Sequence, residues 1–186
     1  MKTTTKTILS LGLIALVVTS CKKDDDLVDV PPPDQNEVEL ITTFKLLLTD
    51  DAGVQPDVTA IFTDLDGDGG DAPSVFDEIV LAPSTTYSAE ILLLNELEIP
   101  ADTISNEVLE EDDEHLFCFS PAGADVTITR TDSDGTYEVG LQSTWVTGAV
   151  SEGTTQIVLK HQPDVKDGTC APGETDIELN FVTKIQ

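Results

Sequence analysis

The chain has 186 residues, with 36 Asp and Glu against 9 Lys and Arg, and a formal net charge of −27. A surface this acidic repels phosphate backbones and anionic head groups, which argues against nucleic acid as a partner and against electrostatic attachment to a membrane. Its apolar fraction of 39% is ordinary for a folded domain and argues against wholesale disorder.

Residues 1–20 open the chain with Lys2 and Lys6, an apolar run from Ile8 to Val18, and the small residues Thr19 and Ser20. A basic start, a short apolar stretch and small residues form a secretory signal. The run is too short to span a bilayer as a helix, so its fate is removal. Removal takes Lys2 and Lys6 and leaves seven basic residues against 36 acidic ones, a charge of −29. Cys21 follows at once, and Val18-Thr19-Ser20-Cys21 resembles the bacterial lipobox. The resemblance implies cleavage before Cys21, acylation of Cys21 with palmitate-type chains, and anchorage in a lipid bilayer. Each buried methylene contributes about 0.8 kcal/mol, so several chains hold where one is marginal. Lys22-Lys23-Asp24-Asp25-Asp26 then resembles the export signal of Bacteroidetes surface lipoproteins, which implies an outer-membrane address with the protein exposed at the cell surface. Residues 21–37, with Pro31-Pro32-Pro33, form an acidic, semi-stiff tether. Residues 38–186 supply enough chain for a single domain.

Within that domain, period-two alternation predicts the strands. Leu40, Thr42, Phe44, Leu46 and Leu48 share one face, followed by Val58, Ala60 and Phe62, then Ile79 and Leu81, then Tyr87, Ala89, Ile91 and Leu93. One short helix is expected where Asp102 caps Ile104, Val108 and Leu109. Phe117 and Phe119 mark the next strand. Val126 and Ile128 are expected to pair with Tyr137, Val139, Leu141 and Trp145 across Thr131-Asp132-Ser133-Asp134-Gly135, a hairpin signal. Ile157 and Leu159, then Ile177, Leu179, Phe181 and Ile185, complete about eight strands. The pattern predicts an all-β fold, an antiparallel two-sheet sandwich of immunoglobulin-like class, with a small barrel as the alternative.

Three groups of residues carry candidate chemistry. Asp64, Asp66, Asp68 and Asp71 lie in a glycine-rich segment, where alternate carboxylates offer hard oxygen ligands for calcium. The segment resembles the first half of an EF-hand loop. Ala72 and Val75 stand where later ligands belong, so an EF-hand is rejected, leaving a calcium loop between strands or a plain solvated turn. His115 closes the acidic run from Glu110, and His161 ends a strand. With a nearby carboxylate these two imidazoles suit zinc or another transition metal, provided their strands are neighbours. Cys118 and Cys170 either pair outside the cytoplasm or remain separate thiols. No nucleophile elbow, phosphate-binding loop or zinc-protease helix is present, which argues against an enzyme.

Asp64 to Gly70, Asp113-Glu114-His115, Leu159-Lys160-His161 and Gly173-Glu174-Thr175-Asp176 together resemble a family of small acidic bacterial surface lipoproteins. The resemblance implies no activity. The expected function is a non-catalytic binding or accessory module of the outer membrane, with a transporter or surface protein as partner. The alternative is a lipoprotein that binds zinc or calcium.

Overall fold

The computed structural model describes residues 39–67 and 70–186; the signal, Cys21, the tether and Asp68 lie outside the described residues. Among the described residues the chain forms ten strands and one helix. The strands are β1 (Thr43–Asp50), β2 (Val58–Thr63), β3 (Val75–Phe76), β4 (Ile79–Leu81), β5 (Thr86–Leu94), β6 (His115–Ala122), β7 (Val126–Arg130), β8 (Gln142–Thr147), β9 (Ser151–His161) and β10 (Glu174–Ile185). Helix α1 spans Ile104–Glu110. One sheet runs β3-β2-β1-β5-β8-β7 and the other β4-β10-β9-β6. All pairings are antiparallel except β4 beside β10. The result is a two-sheet sandwich, not a closed barrel.

Alternation explains why these segments are strands. Phe44, Leu46 and Leu48 of β1 and Tyr87, Ala89, Ile91 and Leu93 of β5 are buried, while Lys45, Leu47, Ser88 and Glu90 between them are more exposed. The opposite sheet contributes Phe117, Ile157, Leu159, Leu179, Phe181 and Ile185 to the same core. Phe44 meets Phe181 with ring centroids 5.6 Å apart, and Phe119 meets Trp145 edge-on at 6.1 Å. Each such side chain stabilises by about 1.5–3 kcal/mol through burial.

Several expectations need correction. Leu40 is exposed, because it precedes the first paired residue, Thr43. Asp102 does not cap the helix. It pairs with Asn95 in an isolated bridge, its Oδ1 accepts the Thr103 amide, and Thr103 holds the cap position without a side-chain hydrogen bond. Leu109 faces outward, while Ile104 and Val108 are the buried residues of α1. The hairpin after β7 is not tight. Ile128 does pair with Trp145, but residues 131–141 form an irregular excursion that buries Val139 and Leu141 without making them strand residues. Asp132 fixes its base by accepting the amides of Gly140 and Gln142. The Phe117 amide donates to the Val139 carbonyl at 2.7 Å, so the excursion also covers the free edge of β6.

Candidate metal centre

The two histidines meet because of register. β6 begins at His115 and β9 ends at His161, and antiparallel pairing sets these residues directly opposite one another. Directly opposed side chains share a face of the sheet. Their rings stack with centroids 4.7 Å apart and planes 5° from parallel. Both residues are buried, His115 at 0% and His161 at 4% relative exposure.

Helix α1 fixes the tautomer of His115. Its last turn ends with the Glu111 amide donating to the Glu107 carbonyl, and the Glu114 amide then donates back to the Glu111 carbonyl. The Glu111 carbonyl also lies 3.1 Å from His115 Nδ1. A carbonyl only accepts, so Nδ1 carries the proton and Nε2 keeps its lone pair. That lone pair has no hydrogen-bond partner, and neither does Nε2 of His161. Burial pushes the His115 imidazole down to about 4, leaving it neutral at pH 7. A backbone-oriented, neutral imidazole with a free nitrogen is in the state that binds a metal.

Carboxylates surround the two nitrogens. Glu111, His115 and His161 each present a ligand atom, all within 4.8 Å of one another. Glu114 Oε2 lies 3.4 Å from His161 Nε2. Asp176 Oδ2 lies 3.9 Å from His115 Nε2, too far for a hydrogen bond, and both Asp176 oxygens are buried without a partner. Burial pushes Asp176 up to about 6, against the pull of His161 and Lys160. Glu39 is pushed up to about 7, first by burial and then by the charge and hydrogen bond of Glu107. Glu111 is raised by burial and by neighbouring Glu114. The nearby lysines are engaged elsewhere: Lys160 donates to Thr175, and Lys166 to Asp134 and the Asp112 carbonyl. Among the described residues, the cluster is a concentration of negative charge and lone pairs without a neutralising side chain at its centre.

The loop between β9 and β10 walls the site. Gln162 is fully buried, and its Nε2 donates to the carbonyls of Thr169 and Pro172. Lys166 bridges to Asp134 at 2.8 Å, nearly buried on both sides. Cys118 and Cys170 form a disulfide with Cα atoms 6.1 Å apart, which ties the loop to β6 three residues beyond His115. Gly173 brings the chain back against His161. A Cβ there would sit 2.1 Å from the His161 carbonyl oxygen, and its φ is +79°, so glycine is required.

The aspartate-rich segment looks different. Asp64 Oδ1 accepts the amides of Asp66 and Gly67, and Asp66 Oδ2 accepts the amide of Asp71. The Asp71 amide holds the Asp66 carboxyl below its usual range. These oxygens accept amides of their own turn, as Asx-type loops do. Asp68 lies outside the described residues.

The sequence singles out His115 and His161 with a nearby carboxylate in the acidic run from Glu110, without saying which, and gives no sign of Asp176, Glu39 or Glu107. Glu111 caps the end of α1 and His115 opens β6, so the turn of residues 111–114 brings the two together, which a sequence pattern does not show. No family model, no curated protein and no solved structure matches this chain.

Proposed function

We propose that this protein is a non-catalytic, lipid-anchored binding protein of the outer membrane whose folded domain holds one divalent transition-metal ion, zinc being the reference case. His115, His161 and Glu111 are the ligands, with Glu114 at the rim. One observation carries the reading: two buried imidazole nitrogens lack hydrogen-bond partners while carboxylates converge on them. An unsatisfied buried polar atom costs about 1–3 kcal/mol, and a bound cation removes that cost for each. Two imidazoles and carboxylate oxygen form a borderline donor set that suits zinc and its neighbours better than calcium. For bonds of about 2.0–2.2 Å the edge of a tetrahedron is about 3.3–3.6 Å, and the ligand atoms of Glu111, His115 and His161, all within 4.8 Å of one another, need to draw in by at most about 1.5 Å to reach it. Near-complete burial of both imidazoles leaves little room for a substrate beside the ion, which favours holding over catalysis. The address rests on the lipobox at Cys21 and on Lys22 to Asp26.

Calorimetric titration of the full chain with zinc should show one tight site, and the His115→Ala/His161→Ala double variant should lose it. Absence of stoichiometric binding in the wild-type chain would remove the metal reading. Mass spectrometry of the native amino terminus tests the anchor, and an intact signal or an unmodified Cys21 counts against it.

A further inference from the structure

The structure assigns Asp176 as a fourth ligand, which closes the centre into a four-coordinate site of two imidazoles and two carboxylates. This inference rests on the metal reading above and deepens it, because it specifies a coordination number and a ligand that the sequence pattern hides.

The pairing of β10 with β9 runs Glu174 to His161 and Thr175 to Lys160, then resumes with Ile177 opposite Leu159. Asp176 is the extra residue at this irregularity and has no partner on β9. A β-bulge lets one strand carry an additional residue and re-aims a side chain, and bulges are enriched beside functional sites. Without the bulge, Asp176 would continue the phase of Glu178 and Asn180, which alternate with the inward-facing Ile177, Leu179 and Phe181. With it, the Asp176 side chain is at 0% exposure, facing the equally buried His115.

Placing an aspartate there is unfavourable in a metal-free domain. Neither oxygen makes a well-formed hydrogen bond, the Glu39 amide being close enough only to lower the carboxyl slightly, and the nearest polar atom on His115 is another lone pair. Two acceptors 3.9 Å apart with nothing between them repel one another, yet a cation between them bonds to both. Closing that gap to the edge of a tetrahedron requires about 0.5 Å, within the reach of a small side-chain rotation. Asp176 stands just outside the group of ligand atoms that lie within 4.8 Å of one another, so two oxygens and two nitrogens fill the shell once its side chain and one of the two stacked imidazoles turn toward the ion. Glu111 is the second carboxylate on ligand separation, and the more exposed Glu114 stands where an ion would enter.

Cobalt(II) serves as the probe, loaded into the full chain purified in detergent. The wild-type chain should give the intense visible bands of four-coordinate cobalt. Asp176→Asn, which preserves volume, should shift and weaken those bands as water or the amide oxygen replaces the carboxylate, and should lower zinc affinity by about 10–100-fold. Bands and affinity unchanged in Asp176→Asn would overturn the assignment while leaving the metal reading intact. A wild-type chain that binds neither cobalt nor zinc would overturn both. Crystals of zinc-loaded wild type give a measurement independent of any variant. An anomalous peak within about 2.3 Å of an Asp176 oxygen supports the assignment, and one beyond about 3 Å from both oxygens overturns it.

Discussion

Replacing Asp176 by asparagine should stabilise the metal-free domain at neutral pH. In the folded chain Asp176 is raised from 3.8 to about 6 by burial. A carboxylate raised in this way leaves stability intact below its unfolded pKa and erodes it as pH climbs through the folded value. The loss therefore begins near pH 4 and is complete above pH 6. About two pKa units at about 1.4 kcal/mol each give an upper bound of about 3 kcal/mol. Asparagine removes that charge and offers an N–H to the free Nε2 of His115, although its own burial takes back about 1 kcal/mol. A net gain of about 2 kcal/mol should raise Tm by about 4–8 °C for a domain of this size. The assay is thermal unfolding of both chains in chelator at pH 7.5 and at pH 4. The gain should be present at pH 7.5 and should shrink markedly at pH 4, where wild-type Asp176 is itself protonated. Excess zinc should close most of the gap, since a variant that binds about 10–100-fold more weakly gives up about 1.4–2.7 kcal/mol of ligand stabilisation relative to the wild-type chain. A variant less stable than wild type in chelator at pH 7.5, or a gain equal at both pH values, would refute the claim that Asp176 is a buried, unpaired charge.

Zinc affinity should fall about tenfold per pH unit below pH 6, because a protonated Asp176 cannot ligate, and the slope should be weaker in Asp176→Asn; competition titration at pH 5, 6 and 7 checks it. Reducing Cys118–Cys170, or replacing both residues by serine, should cost about 2–4 kcal/mol, because the bond joins positions 52 residues apart and restrains the unfolded chain; urea unfolding with and without reductant measures the loss.

Much of the sandwich was legible because burial on one face imposes a period of two, and Phe44 to Leu48, Tyr87 to Leu93 and Leu179 to Ile185 keep that period without interruption. The excursion at residues 131–141 was not, because its glycine and aspartates signal a turn without saying how long the chain stays away from the sheet. Gly135 does adopt the positive φ expected of it, at +91°, but within a wide loop. The histidines could be named as ligand candidates, whereas their meeting depended on the β6–β9 register, a relation between residues over forty positions apart. Asp176 was hidden more deeply. Alternation in its own strand assigns it to the outward face, and only a slip in pairing with β9 turns it inward. Cys118 and Cys170 were open to pairing or not, since proximity depends on the path of the 162–173 loop.

The prospective ligands are scattered: Glu111 and His115 follow the helix, His161 ends one strand, and Asp176 sits on the kink of another. No short peptide cut from this chain holds more than two of them, and a half-assembled sandwich cannot gather all four. Under the proposed reading, a metal would therefore report on folding, because only a completed sandwich brings these residues together.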